Sequence, residues 1–340
     1  MLISLHGLVI ECTTASAALE AQLVRPFGLF LAQAGTPEVR ITIVETAPPY
    51  DRFPQLEASF STPRNIVYDT REYKVVDYFG KGATVEDKTR RSFTIYGKDG
   101  NFLQEAFYLL VLSIFGQYCD RHGMLRVHAM ALSYADKAIL MPIPPGGGKS
   151  TMAIAMLQED GFRLISDDEP IVSRNGAILP FALRIGTLDK SKTEAIPAEF
   201  VYSIDRMEFG LKYFIDVRYW ESRLEQRALE DVIYMAARRV LNGTPSIRAI
   251  PKRRVLKSLF RDAIIGVGLY QGLEFMFSHS VWSNVRQLAT LARRSRVAWK
   301  MLRRARIYEF ILSGDVGENR RILGEFARGL DRPAPERPRS

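Results

Sequence analysis

Residues 138–160 read AILMPIPPGGGKSTMAIAMLQED. An apolar run meets three consecutive glycines, then a lysine and two hydroxyl residues, then apolar residues at helical spacing. That order restricts the chain more than anything else in it. A buried strand must feed a glycine loop, and the loop must open a helix. Backbone N–H groups converge at such a helix N-terminus, where they suit a phosphate. Gly146, Gly147, Gly148, Lys149, Ser150 and Thr151 all keep their N–H, and glycines permit the left-handed dihedrals that a nest of donors requires. Lys149 is placed to neutralise β- and γ-phosphate oxygens, and Ser150 to ligate Mg²⁺.

The front of the loop departs from the pattern G-x-x-x-x-G-K-[ST]. Ile143 stands where that pattern has its first glycine, and Pro144 and Pro145 follow. The prolines donate nothing, but they stiffen the loop, and Pro145 is counted with residues 146–151 as its nucleotide-binding wall. The competing reading is a glycine-rich turn before a helix that happens to begin with lysine. The strand before, the helix after and the acids beyond favour the nucleotide site.

Those acids are Asp167 and Asp168, at the end of the strand candidate FRLISDD. The expectation is that this strand lies beside the loop strand. Successive strand residues point to opposite sides, so two carboxylates can divide the work of holding a metal and accepting a proton. Aspartates also end strands simply to cap turns. His128 lies on the preceding strand candidate, where a histidine is more often a satisfied core residue than a catalyst.

The remaining pattern is that of a mixed α/β protein. Residues 1–100 are β-rich runs divided by Pro, Gly and Asp and are expected to form an N-terminal module. Asn101 is a candidate helix cap, with Gln104 in the capping-box position, for a buried helix ending near Gly123. Residues 124–180 run strand, strand, loop, helix, strand, hairpin, with the turn of the hairpin at Asn175-Gly176. Residues 101–330 are expected to form the core, with a basic mixed or helical insertion over about 221–306, and 331–340 a disordered tail. Cys12 and Cys119 lie in apolar surroundings and suit buried thiols, not a disulfide framework. The opening MLISLHGLVIEC lacks a signal-peptide pattern, and the apolar run AFYLLVLSIF at 106–115 is shorter than the roughly 20 residues a spanning helix needs. A cytoplasmic location is the expectation.

Residues 124–180 resemble the HPr kinase/phosphorylase family and its divergent relatives. The likeness rests on His128, fifteen residues before position 143, on PPGGGKST, on DGFRLISDD and on the hairpin PIVSRNGAILPF. The closing stretch YEFILSGDVGENRRILGEF resembles, more weakly, how related kinases finish their core. The chain departs from the family after the hairpin, where the segment that supports metal and phosphate chemistry has no recognisable counterpart beyond a distant echo in LRIGTLDK at 183–190. The resemblance implies a P-loop kinase core related to phosphoenolpyruvate carboxykinase, with ATP and Mg²⁺ as cofactors. It implies Asp167 as base toward a serine hydroxyl, aided by His128, with Asp168 and Ser150 at the metal. It also implies a homo-oligomer. Divergent relatives accompany peptide-tailoring machinery, including lasso-peptide pathways, so a serine in a precursor peptide is the family-level acceptor.

The charge of the chain is uneven. Between Lys252 and Arg306 stand thirteen Lys or Arg against Asp262 and Glu274. Residues 286–306 place leucines, Ala298 and Trp299 at helical spacing with arginines on the other faces. The plainest reading is a solvated helix face. An acidic peptide or protein partner at 252–306 comes next, then a membrane surface anchored by Trp299. No nucleic-acid module surrounds the segment, so no specific nucleic-acid partner is expected. PKRR at 251–254 opens a helix candidate at the end that prefers acids, which suits a nearby anion.

The sequence therefore predicts an ATP-dependent kinase acting on a serine of a peptide or protein. Two alternatives stand beside it: a non-catalytic nucleotide-binding regulator, and a kinase of a small molecule such as serine or a sugar.

Overall fold

The computed structural model describes residues 1–143, 146–206, 210–260, 263 and 281–330. The chain is mixed α/β, with several mixed sheets and a few helices. It divides into two compact units. Of the described residues, the first holds Met1–His122, Leu183–Tyr219 and 281–290, and the second holds Gly123–Ala182, 220–260, 263 and 291–330. The sequence boundary at residue 100 therefore does not coincide with the division by contacts.

The first unit is built on a nine-stranded sheet drawn from residues 2–97. Several of its strands, such as VRITIV at Val39–Val44 and SFTIYG at Ser92–Gly97, alternate with every second side chain buried. Gly100–His122 is a helix whose length and composition would suffice to cross a membrane, yet most of it is buried inside the protein. Asp99, not Asn101, caps it: the Asp99 carboxylate accepts the Asn101 N–H at 3.0 Å, and Gln104 donates to the Gly100 carbonyl. Gly123 ends it at φ +69°. Three strands, Arg184–Thr187, Gly210–Asp216 and Val201–Arg206, form a second sheet of this unit. LRIGTLDK thus falls in the first unit, whereas the glycine loop falls in the second. Cys12 and Cys119 are both free and buried, and burial pushes the Cys12 thiol up to about 12.

The second unit carries a six-stranded sheet in the order Phe162–Ser166, Met130–Tyr134, Lys137–Met141, Asp231–Arg239, Arg306–Leu312, Ser246–Ala249. Lys137–Met141, the loop strand, is buried from Ala138 onward and runs parallel to Asp231–Arg239, which runs parallel to Arg306–Leu312. A strand covered on both faces reads as a continuous apolar run, and AILM is that run. Two expectations change here. The acidic strand Phe162–Ser166 does not neighbour the loop strand, because Met130–Tyr134 lies between them, antiparallel to both. Asp231–Arg239, read from sequence as part of an insertion, is the other neighbour of the loop strand.

The loop helix is Lys149–Met156. Eight residues are too few to be stable alone, so its packing holds it. Met152, Ala153 and Met156 are buried, and each methionine contributes about 1.5–3 kcal/mol. The hairpin follows the acidic strand: Ile171–Val172 pairs antiparallel with Ile178–Leu179, and Gly176 makes its turn at φ +94°. The helix Val281–Arg304 contributes Val297, Ala298, Met301 and Leu302 to the core of this unit, together with Val255 and Leu259. Val316–Gly329 closes the described chain as a helix capped by Asp315. The expected tail at 331–340 lies outside the described residues.

Candidate functional site

Two features bring Lys149 and Ser150 to the start of the loop helix. The strand ends at Met141, and Gly146 and Gly148 then take φ values of +74° and +95° that a side chain would strain. No described atom lies within 4 Å of where a Cβ would stand on either glycine. The loop is therefore left-handed at two points and open on that side, as a cradle for an anion must be. Pro144 and Pro145 lie outside the described residues. Gly147 stands between the two turning glycines, and Thr151 is in the first turn of the helix.

The acids reach this helix by a different route from the one the sequence suggested. Leu125–Arg126 pairs antiparallel with Ile171–Val172. The pairing then continues beyond the strands, because the Val127 N–H donates to the Pro170 carbonyl and the Ala129 N–H to the Asp168 carbonyl, both at 3.1 Å. His128 is thus held in the bend between two strands, not within one, and directly beside Asp168.

The side chains then interlock. The Ser150 hydroxyl donates to Asp167 Oδ2 at 3.0 Å. Lys149 Nζ lies 3.1 Å from Asp168 Oδ1, 2.6 Å from His128 Nε2 and 3.3 Å from the Ile143 carbonyl oxygen. His128 Nδ1 is 3.4 Å from Asp168 Oδ1. Nε2 is thus the ring nitrogen turned to Lys149, and Nδ1 the one that faces Asp168. Lys149, His128 and Asp167 are buried, whereas the Asp168 side chain is 54% exposed. One carboxylate is thus turned inward to the helix start and the other outward, an asymmetry that equal residue types do not reveal in the sequence.

A buried ion pair that the sequence reading did not single out adjoins these residues. Arg126 Nη1 donates to Glu169 Oε2 at 3.2 Å, and the two side chains are only 5% and 8% exposed. Burial pushes the Glu169 carboxyl up to about 7, against the pull of Arg126 and with a further push from Asp168. Removing one partner of such a pair costs about 3–5 kcal/mol, because it strands the other charge. The signal was present as a third acid directly after Asp167 and Asp168. Its burial follows from the backbone pairing of 127–129 with 168–170, which is a long-range feature.

The sequence candidates Gly146, Gly147, Gly148, Lys149, Ser150, Thr151, Asp167, Asp168 and His128 all belong to the second unit. Of them, Lys149, Ser150, Asp167, Asp168 and His128 are joined by direct contacts. No family model matches the chain, and no curated protein matches it.

Proposed function

We propose that the second unit is an ATP-dependent kinase core of the HPr kinase/phosphorylase-related type, acting on a serine hydroxyl of a peptide or protein. The observation that carries this reading is the pairing of two consecutive residues at one helix start with two consecutive acids: Ser150 with Asp167 at 3.0 Å and Lys149 with Asp168 at 3.1 Å. Open left-handed glycines immediately before that helix start fit a polyphosphate. Bound MgATP would supply the transferable phosphoryl group and the divalent charge that neutralises its oxygens. The N–H groups of 146–151 and the Lys149 ammonium would hold the β- and γ-phosphate oxygens.

The pairing supports a division of labour opposite to the one the resemblance implies. Asp167, buried and bonded to Ser150, suits the metal side. Asp168, exposed and beside the His128 ring, suits the proton side, where its Oδ1 would accept the proton of the acceptor hydroxyl.

Isothermal titration of MgATP into wild type and Lys149→Ala, with phosphate release and transfer to serine peptides followed in the same samples, tests the reading. Binding lost in the variant, with transfer by the wild type, supports it; no binding by the wild type removes it. A non-catalytic nucleotide-responsive regulator is the second reading. It is favoured by the engagement of Lys149 with the His128 ring and the Ile143 carbonyl, which nucleotide must displace. Binding without any transfer would select it.

A further inference from the structure

The part of the basic helix that belongs to the second unit, from Leu291 on, has two faces with different fates. Val297, Ala298, Met301 and Leu302 are at most 4% exposed and belong to the core. Arg293, Arg296, Trp299, Lys300 and Arg303 are exposed, with Trp299 at 57%. Arg296 and Arg303 neighbour Trp299 at i−3 and i+4, so an aromatic side chain stands beside two cations on one helical face, with Lys300 further round the exposed side. Arg304 and Arg306, at the end of the same segment, have acidic neighbours in Glu230 and Asp231. Among the described residues, Arg293, Arg296, Lys300 and Arg303 have no carboxylate within ion-pair distance. The Lys252 ammonium donates to the Arg303 carbonyl at 2.6 Å, which ties the exposed Arg253 and Arg254 segment to the last turn of the helix.

We infer that this face is a docking surface for an acidic polypeptide segment that carries an apolar anchor residue. Like charges gathered without carboxylate partners among the described residues cost folding energy and are relieved by an external polyanion. Tryptophan and arginine are the side chains that most often carry binding energy at protein interfaces, and guanidinium groups grip carboxylates with two parallel hydrogen bonds. A bilayer is the poorer fit. A surface helix binds lipid by burying a broad apolar face, and here that face is already in the core, leaving only Leu288 and Trp299, three turns apart, as large exposed apolar side chains among the described residues of the helix.

The helix also contacts the hairpin that follows the acids in the chain. Lys300 and Arg304 donate to the carbonyls of Arg174 and Asn175 at 3.4 Å, in the turn of the hairpin that directly follows Asp168 and Glu169. The docking inference does not rest on the nucleotide reading, and a Lys149→Ala protein should bind the partner as wild type does.

The test uses the full chain and three fluorescent probes: a 20-residue Glu-rich peptide with one central Phe, a 20-nucleotide single-stranded DNA, and vesicles of phosphatidylglycerol in phosphatidylcholine. Titrations are followed by anisotropy, or by co-sedimentation for the vesicles. The variants are Trp299→Ala, Arg296→Glu with Arg303→Glu, and a control of equal charge change, Arg52→Glu with Arg71→Glu. The expected result is peptide binding that weakens tenfold or more in both helix variants and less than twofold in the control. A peptide that fails to bind, or one lost equally in the control, overturns the inference. So does tighter binding of DNA or vesicles that the same helix variants abolish. Circular dichroism of each variant confirms that the exposed substitutions leave the fold intact.

Discussion

His128 Nε2 lies 2.6 Å from Lys149 Nζ, and the contact joins a bend between strands to the first residue of the loop helix. The imidazole occupies the ammonium that a bound phosphate would need. Replacing His128 by Ala frees one of the protein's own claims on Lys149, so nucleotide affinity should hold or rise. The same change removes the ring beside Asp168, so phosphoryl transfer should fall about tenfold or more, the scale of general acid–base assistance. Steady-state kinetics decides: an unchanged or lower KM for ATP with a depressed kcat is the expected split. A raised KM with unchanged kcat would assign the ring to simple binding.

Ser150 and Asp167 should behave as one unit, because the hydroxyl donates to the carboxylate at 3.0 Å. Ser150→Ala and Asp167→Asn are each expected to lower the Mg²⁺-dependent part of ATP affinity about tenfold, since each removes one side of the same pair. The double variant should lose little more than either single one, because contacting residues are not additive. Titrations with and without Mg²⁺ give the cycle directly. Independent, multiplying losses would place the two residues in separate roles.

How much of this was legible in the sequence depends on the range of the interaction. AILM, the glycine triplet and KSTMAIAMLQED encode strand, loop and helix through local pattern, and the structure has the strand at Lys137–Met141 and a helix at Lys149–Met156 that ends at Leu157, short of Gly161. Asn175-Gly176 encoded its turn in the same way. What pattern could not supply was neighbourhood. Nothing in FRLISDD says that Met130–Tyr134 intervenes between it and the loop strand, since register and strand order are set by contacts far apart in the chain. Nor did DVIYMAARR reveal that it lies beside the loop strand, because its position follows from a long crossover. Asp167 and Asp168 were visible as a pair, but their inward and outward faces were not. Nothing local marks Glu169 as buried, because a charged residue is rarely buried without a partner, and its partner Arg126 lies 43 positions away.

Gly176 should be intolerant of any side chain. Its φ of +94° is strained for an L residue, and a Cβ there would stand 3.1 Å from the Met301 backbone nitrogen. Helix backbone cannot yield as a flexible side chain does, so both penalties apply. Gly176→Ala is expected to destabilise the protein by about 1–3 kcal/mol, the range for a forced backbone conformation. Gly314→Ala is the control, with ordinary backbone and no atom within 4 Å of its Cβ position. Chemical denaturation should show a lower midpoint for the first and almost none of that loss for the second.

Glu225 gives a pH dependence whose sign can be worked out. The side chain is only 5% exposed, and burial alone would raise its pKa. Hydrogen bonds from the Arg227 side chain and N–H and from the Ser133 hydroxyl overcome that, and the carboxyl is held below its ordinary value. A carboxylate with a depressed folded pKa binds fewer protons in the folded state than in the unfolded one. Its stabilisation is complete above the unfolded carboxyl pKa of about 4.3 and is lost as pH falls through the lower folded value. Denaturation midpoints measured from pH 6 down should fall less steeply for Glu225→Gln than for wild type. The curves should also converge at the acid end, where the wild-type carboxyl is protonated too. A variant that loses stability by the same amount at every pH would show that Glu225 acts through packing and not through its charge.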